Sequence, residues 1–228
     1  YILLKRRLLY SFMDKMQIRF LKSLPLIAIL RGIRPEESID IGCELFEIGF
    51  RIIEIPLNSP DAFKSIEKLV LKLKDKALIG AGTITNIKQL QLLSDVGGKL
   101  AVMPHTDLKL IRKAKTLNFV CFPGVASPSE ALAALNSGAD GLKVFPAELI
   151  TPKVLKSWKA ILPEKTMLFP VGGIIPESME SYILAGATGF GLGSALYRPG
   201  QSVLDVGLMG KIFIKNWKLL NLSMNQVT

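Results

Sequence analysis

The sequence predicts an α/β protein that folds as one (β/α)8 barrel with a closed parallel sheet. From Leu24 onward, short apolar runs that end in Gly, Pro, Asn or Thr alternate with segments of helical period, and this unit occurs eight times. Such strict repetition is typical of the TIM barrel, for which 228 residues suffice. A doubly wound open sheet is the alternative, but its glycine-rich fingerprint after the first strand is absent.

The eight predicted strands are apolar runs bounded by turn-forming residues. They span residues 26–31, 51–57, 77–83, 100–104, 118–124, 141–146, 167–173 and 189–196. The predicted helices span residues 36–49, 60–74, 86–96, 107–116, 128–137, 152–161, 176–184 and 202–217. Several begin with proline near the first turn, where the missing N–H costs nothing. The last helix carries an apolar stripe that includes Val203, Val206, Phe213 and Trp217, as expected of a packing helix.

The repeat occupies residues 23–217, which we expect to form one barrel domain. Residues 1–22 are basic and apolar, begin with Tyr1 rather than Met, and lack the order of charge and apolar run that marks a signal peptide. Since Met13 or Met16 is a candidate start, we expect this segment to be non-native or a peripheral helix. Residues 218–228 are the expected C-terminal tail.

Composition limits the class of protein. Two cysteines cannot form a disulfide framework, which favours a reducing, cytoplasmic location. No apolar stretch is long enough to span a membrane. The net charge of +10 falls mainly on lysines at helical spacing, and no basic, aromatic-interleaved segment points to nucleic acid. We therefore expect an anionic small-molecule substrate.

Lys143 is the residue around which the predicted chemistry is organised. It stands in the apolar strand 141–146, bounded by glycine and proline. Burying an ammonium is costly, and the same desolvation lowers its pKa. A neutral amine in a dry pocket is a nucleophile toward ketones. The alternative is a lysine at a strand end that extends to solvent.

Other polar side chains lie at predicted strand ends, where barrel active sites form. Arg31 and Thr83 end the first and third strands, and Glu54 lies in the second. Strand alternation places Glu54 on the face of Ile52, Thr83 on that of Ala81, and Phe145 on that of Lys143. These polar side chains are therefore predicted to point into one cavity, although Glu54 alone could equally be a structural partner of Arg31.

Glycines predict a second, anionic subsite. Gly172 and Gly173 end the seventh strand, and Gly193 and Ser194 end the eighth. Loops at these positions, with exposed backbone N–H groups near a helix start, form the usual phosphate site of such barrels. His105 is the only histidine, so no metal site is predicted, and a structural role is favoured for it.

Several motifs together resemble the 2-keto-3-deoxy-6-phospho-sugar-acid aldolases. They lie at residues 24–32, 53–60, 77–83, 141–147 and 171–173, within a similarity that runs from about residue 23 to 217. The resemblance implies a class I lyase, without a cofactor, that forms pyruvate and D-glyceraldehyde 3-phosphate. It implies that Lys143 is the Schiff-base lysine and Glu54 the general acid/base. It also implies a homotrimer.

The resemblance further implies how the substrate is held. Arg31 and Thr83 would contact the pyruvate portion or hydroxyls, with Asn58 and Phe145 as further contacts. Gly172, Gly173, Gly193 and Ser194 would hold the phosphate. Residues 58–60 and 191–202 look closest to the galactonate branch of the family. The gluconate branch often has a carboxylate-binding arginine where this chain has Asn58, which leaves that role to Arg31 or Thr83.

Other functions remain open at this point. The C4 epimer of the galactonate substrate, 2-dehydro-3-deoxy-6-phosphogluconate, and 4-hydroxy-2-oxoglutarate are alternative substrates. A phosphate-binding isomerase or synthase would keep the fold but change the reaction, because a fold does not determine a function. A non-catalytic sugar-phosphate-binding protein is the remaining alternative, although the presence of both Lys143 and Glu54 argues against it.

Overall fold

The computed structural model describes residues 15–225, in which short parallel strands alternate with helices. The strands are β1 Leu26–Ile29, β2 Ile52–Pro56, β3 Leu78–Gly82, β4 Leu100–Val102, β5 Val120–Phe122, β6 Gly124–Val125, β7 Leu142–Val144, β8 Leu168–Pro170 and β9 Phe190–Leu192. The helices are α1 Lys15–Ser23, α2 Ser38–Ile48, α3 Ala62–Leu73, α4 Ile87–Asp95, α5 Leu108–Thr116, α6 Pro128–Asn136, α7 Pro152–Lys159, α8 Met179–Leu184 and α9 Val203–Asn225. Two short 3-10 turns, Lys74–Lys76 and Pro176–Ser178, complete these elements.

Local sequence signals account for many of the helix starts. The side chains of Asn86, Asp107 and Ser127 accept hydrogen bonds from backbone N–H groups in the first turns of α4, α5 and α6. These bonds satisfy donors that have no partner within the helix. Proline begins α6 and α7, at Pro128 and Pro152, so the predicted proline starts are confirmed there.

The predicted closed eight-stranded barrel is wrong. The strands form a six-stranded sheet in the order β5-β4-β3-β2-β1-β9 and a separate three-stranded sheet in the order β6-β7-β8. Pro123 interrupts the predicted fifth strand and divides it into β5 and β6. Strand β8 ends at Pro170 and forms no ladder with β9. The two strands are joined by one isolated bridge, between Val171 and Gly191. Proline donates no ladder hydrogen bond, which explains why pairing stops at these points.

Side chains from both sheets nevertheless share one interior. Inward-facing positions at the starts and middles of the strands form an apolar cluster of Ile27, Ile52, Leu78, Leu100, Val102, Val120, Phe122 and Phe169. The rings of Phe122 on β5 and Phe169 on β8 lie 4.9 Å apart between centroids. The outward-facing positions pack against the helices in a second, larger cluster. The carboxyl ends of the strands are thus left for the polar groups.

Helix α1 covers the amino ends of the strands. Its Leu21 is buried in the interior cluster, and Ile18 and Phe20 pack at the edge of that cluster. A cleft of about 830 Å³ lies at this end, lined by Phe20 and Trp217 among others. Residues 1–14 of the predicted N-terminal segment and residues 226–228 of the predicted tail lie outside the described residues. Helix α9 continues beyond the predicted boundary at residue 217.

No helix within residues 15–225 is long and apolar enough to cross a membrane.

Replacing Phe122 by alanine tests the shared interior. Phe122 is fully buried and contacts the second sheet through Phe169. We expect Phe122→Ala to lower the free energy of unfolding by about 3–5 kcal/mol, because the cavity that it leaves cannot collapse fully. Urea denaturation measures the change. Leu184→Ala is the control, since Leu184 is 66% exposed; equal losses in the two variants would contradict a shared core at Phe122.

Candidate active site

Lys143 is held inside the molecule by strand β7. Its backbone pairs with Gly124 of β6 and Phe169 of β8, and its side chain is only 4% exposed. The Nζ atom lies 4.8 Å from the centroid of the Phe145 ring. Burial lowers the pKa of the amine; the Glu54 carboxylate opposes this shift and Arg31 adds to it. The alternative of a lysine that extends to solvent is therefore excluded.

Glu54 is the second buried ionisable group of the interior. It lies on β2 beside Ile29 and Gly80 of the neighbouring strands and is 1% exposed. Its Oε2 atom has no hydrogen-bond partner among the described residues. Burial raises the pKa of the Glu54 carboxyl to about 7, although Lys143 and Arg31 both favour the charged form. A carboxyl with this pKa can accept and return a proton near neutral pH.

Lys143 and Glu54 interact electrostatically without direct contact. Each affects the pKa of the other, yet no nitrogen–oxygen distance between them is within 4.0 Å. Desolvation exceeds their mutual attraction in both shifts. The two groups therefore do not neutralise each other as a tight ion pair.

Gly82 makes room for the Glu54 carboxyl. A methyl group at this glycine would lie 1.9 Å from Glu54 Oε2, so any side chain on this residue would displace the carboxylate. Sequence analysis missed this role. The available signal was a glycine inside a strand, which often marks a close approach of another group to the backbone.

Arg31 and Asn58 lie in the loops that follow β1 and β2, and they contact each other. The Arg31 guanidinium donates a hydrogen bond of 2.7 Å to Asn58 Oδ1. A second bond ties the same loops, because Gly32 N–H donates to Ser59 Oγ at 2.8 Å. The structure thus places both predicted residues together, with Asn58 in the position to orient Arg31.

Thr83 and Phe145 follow directly after β3 and β7 and are both half-buried. Thr83 has a φ of 58°, in the left-handed region that β-branched residues rarely adopt. Ala81 faces the helices, so strand alternation does not carry Thr83 to the interior as we predicted. The chain bends at Thr83, and residues in such a strained conformation cluster at functional sites. Phe145 covers Lys143 with its ring.

The predicted phosphate residues lie in two adjacent loops. The bridge between Val171 and Gly191 brings the loop after β8 beside the loop after β9. Gly172 and Gly173 have φ values of 108° and 62°, which glycine tolerates best. Within residues 15–225, the backbone N–H groups of Gly173, Gly193 and Ser194 donate no backbone hydrogen bond outside the strand ladders, and Gly172 adjoins the bridge to Gly191. Free N–H groups clustered in this way suit an anion.

Two charged residues beside these loops were not selected from the sequence. Arg198 donates from Nε to the Ser194 carbonyl at 3.0 Å. The Glu148 carboxylate lies against Gly172 and Gly173. Arg198 lies within the motif at residues 191–202, and Glu148 directly follows the motif at residues 141–147. The spacing of residues in the sequence does not predict where their side chains lie. His105 is exposed in the loop after β4. The pKa of nearby Asp107 is lowered mainly by the hydrogen bond from Leu110 N–H, with a smaller contribution from His105. The described part of the chain holds no group of three metal-ligating residues.

The pH dependence of stability tests the environment of Glu54. The folded-state pKa of about 7 lies above the ordinary value of 4.5, so the folded chain binds this proton more tightly than the unfolded chain. This contribution is present at low pH and is lost as the pH rises through about 7. Relative to Glu54→Gln, the wild type should lose roughly 2–3 kcal/mol of unfolding free energy between about pH 5 and pH 8.

Urea denaturation at the two pH values measures this difference. The control is Glu67→Gln, because Glu67 is exposed on α3. A difference between wild type and Glu54→Gln that does not change with pH would mean that the carboxyl titrates at its ordinary pKa.

Comparisons with known proteins agree on one family. Residues 18–207 match the family model described as "Aldolase: KDPG and KHG aldolase". An Escherichia coli (strain K12) protein named "2-dehydro-3-deoxy-6-phosphogalactonate aldolase" is 43% identical over 195 residues, 86% of this chain and 95% of the relative. A Rhizobium meliloti (strain 1021) protein named "Probable 2-dehydro-3-deoxy-6-phosphogalactonate aldolase" is 48% identical over 182 residues, 80% of this chain and 86% of the relative.

A solved structure described as "Native KDPGal structure" has a similar fold. It superposes with a TM-score of 0.86 at 42% identity and covers 88% of this chain and 97% of its own. The family match extends over most of the chain and includes every residue selected for the site. The chain therefore belongs to the KDPG and KHG aldolase family.

Proposed function

We propose that this chain is a class I aldolase that cleaves 2-dehydro-3-deoxy-6-phosphogalactonate to pyruvate and D-glyceraldehyde 3-phosphate. The observation that carries the proposal is the buried pair of Lys143 and Glu54. Burial lowers the pKa of the amine and raises the pKa of the carboxyl, so it favours the neutral form of each group. The names of the E. coli and R. meliloti relatives support this substrate. No cofactor is required for the steps below.

Lys143 supplies the nucleophile. Because burial lowers its pKa, a larger fraction of the amine is neutral near pH 7 than for an exposed lysine. The neutral Nζ attacks the C2 ketone of the substrate to give a carbinolamine. The carbinolamine hydroxyl takes a proton, from Glu54 or from water, and leaves as water to give an iminium. The positive iminium nitrogen then withdraws electrons from the C3–C4 bond.

Glu54 supplies the proton transfers. Its carboxylate, directly or through one water, takes the proton of the C4 hydroxyl as the C3–C4 bond breaks. Glyceraldehyde 3-phosphate leaves, and the electron pair of the broken bond remains on C3 as an enamine. Protonated Glu54 can return the proton to C3, after which water hydrolyses the iminium to pyruvate and free Lys143. One carboxyl with a pKa of about 7 therefore suffices for both roles.

The remaining residues bind the substrate in this proposal. Arg31, oriented by Asn58 at 2.7 Å, holds the carboxylate of the pyruvate portion. Thr83 contacts the same portion or a hydroxyl, and Phe145 covers the imine. The backbone of Gly172, Gly173, Gly193 and Ser194 holds the phosphate, with the N–H groups of the last three as the donors.

A second substrate is favoured by the description of the matching family, which covers KDPG and KHG aldolases. Both 2-dehydro-3-deoxy-6-phosphogluconate and 4-hydroxy-2-oxoglutarate would use the same Lys143 chemistry. The homotrimer and the cytoplasmic location that we expect from the sequence also stay predictions.

Trapping the imine tests the central assignment. Incubation with pyruvate and borohydride should add one reduced pyruvyl group to the peptide that contains Lys143, as read by mass spectrometry. Lys143→Arg should abolish both the adduct and turnover, because a guanidinium stays protonated. Lys153→Arg is the matched control at an exposed lysine. An adduct on another residue, or pyruvate binding without any adduct, would contradict the aldolase assignment.

Epimer preference tests the role of Asn58. The two substrates differ only at C4, and one hydrogen bond to a substrate hydroxyl is worth a factor of about 10–100. We expect kcat/KM to favour the galactonate substrate by this factor. Asn58→Arg should reduce the preference, because it replaces the acceptor of Arg31 by a second cation.

Asn58→Ala is the control for this experiment. It removes the acceptor without adding charge, so it should lower kcat/KM for both epimers together. A wild type that prefers the gluconate epimer would overturn the substrate assignment and leave the aldolase chemistry standing.

A further inference from the structure

Glu148 lies across the face of the glycine pair that we assign to the phosphate. A methyl group on Gly172 would lie 2.4 Å from Glu148 Oε2, and one on Gly173 would lie 3.1 Å from Oε1. Both carboxylate oxygens are therefore packed on these glycines. A negative charge thus borders N–H groups that are otherwise suited to an anion.

The backbone around Glu148 is fixed on two sides. Ala147 N–H donates to the Val171 carbonyl at 2.9 Å, and the Tyr182 hydroxyl donates to the Ala147 carbonyl at 2.7 Å. Leu149 N–H donates to the Pro146 carbonyl at 3.1 Å. These bonds hold the residue beside the loop that follows β8.

The side chain of Glu148 is not fixed in the same way. Among the described residues it has no hydrogen-bond or ion-pair partner, and the residue is exposed. Rotation about its side-chain bonds therefore breaks no hydrogen bond, while the backbone on either side of the residue stays anchored. Its charge nevertheless reaches its neighbours, since Glu148 raises the pKa of Tyr182 in addition to the effect of burial.

We infer that Glu148 is a specificity-determining residue that limits the binding of phosphate at Gly172 and Gly173. A phosphate group carries up to two negative charges and cannot share this space with a carboxylate at low cost. A phosphorylated ligand therefore binds by turning Glu148 aside, and its affinity is lower than the free N–H groups alone would give. The return of the carboxylate favours release of a phosphorylated product. This inference rests on the proposed phosphate site.

Binding of inorganic phosphate tests the inference without requiring catalysis. Titration calorimetry on the full chain compares wild type, Glu148→Gln and Glu164→Gln. Both substitutions remove one negative charge from an exposed glutamate, but Glu164 lies at the amino end of β8, away from the glycines. We expect Glu148→Gln to lower the dissociation constant of phosphate roughly 3- to 10-fold, and Glu164→Gln to leave it near the wild-type value.

The aldol addition reaction provides a second measurement. With pyruvate as donor, Glu148→Gln should lower KM for glyceraldehyde 3-phosphate by a similar factor. KM for unphosphorylated glyceraldehyde should stay unchanged, which a general structural effect would not produce.

Three results would overturn the inference: equal phosphate affinity in the two variants, weaker binding in Glu148→Gln, or no phosphate binding in any of the three proteins. Failure of the proposed function is read separately, from the absence of a pyruvate adduct in the wild type. If the wild type forms no pyruvate adduct but phosphate binding tightens only in Glu148→Gln, the role of Glu148 is supported and the proposed aldolase function is not.

Discussion

The removal of Lys143 and Glu54 from water is the constraint on which the rest of the site depends. An isolated ion in such surroundings is strongly disfavoured, and the mutual attraction of the two groups only partly offsets their desolvation. The pKa of the amine therefore falls while that of the carboxyl rises to about 7, so the carboxyl can exchange protons near neutral pH. The apolar cluster and helix α1 at the amino ends of the strands maintain this dry environment. Gly82 leaves the carboxyl the space that it needs.

Much of this arrangement could be predicted because it depends on local patterns. Apolar runs alternate with amphipathic segments, so the order of strands and helices follows from the chain itself. Lys143 and Glu54 are ionisable residues within apolar strands, so their burial could be expected from the sequence. Burial is also the main cause of the pKa shift of each group. The glycine pair after β8 was found in the same way, because glycine at a strand end allows backbone conformations that expose N–H groups.

The remaining features depend on contacts between distant segments, which local patterns do not encode. Whether a sheet closes depends on the pairing of all its strands, and the prediction extended its fifth strand through Pro123 although proline cannot donate a ladder hydrogen bond. The bond from Arg31 to Asn58 joins residues that are 27 positions apart and depends on two side-chain rotamers. The face of Thr83 was wrongly predicted because Ala81, two residues before it, packs against the helices and not in the interior. The Glu148 carboxylate lies on the glycines because of the direction of its side chain, which no spacing of residues in the sequence predicts.

The division into two sheets has a mechanical consequence for the catalytic pair. Glu54 belongs to the six-stranded sheet and Lys143 to the three-stranded sheet. Their separation is therefore set by side-chain packing between the sheets, such as the contact of Phe122 with Phe169, and by the bridge at Val171. Packed side chains yield to a small sliding motion more readily than a ladder of backbone hydrogen bonds does. In the proposed reaction, a small sliding of one sheet against the other would change the spacing of the amine and the carboxyl without breaking a ladder hydrogen bond.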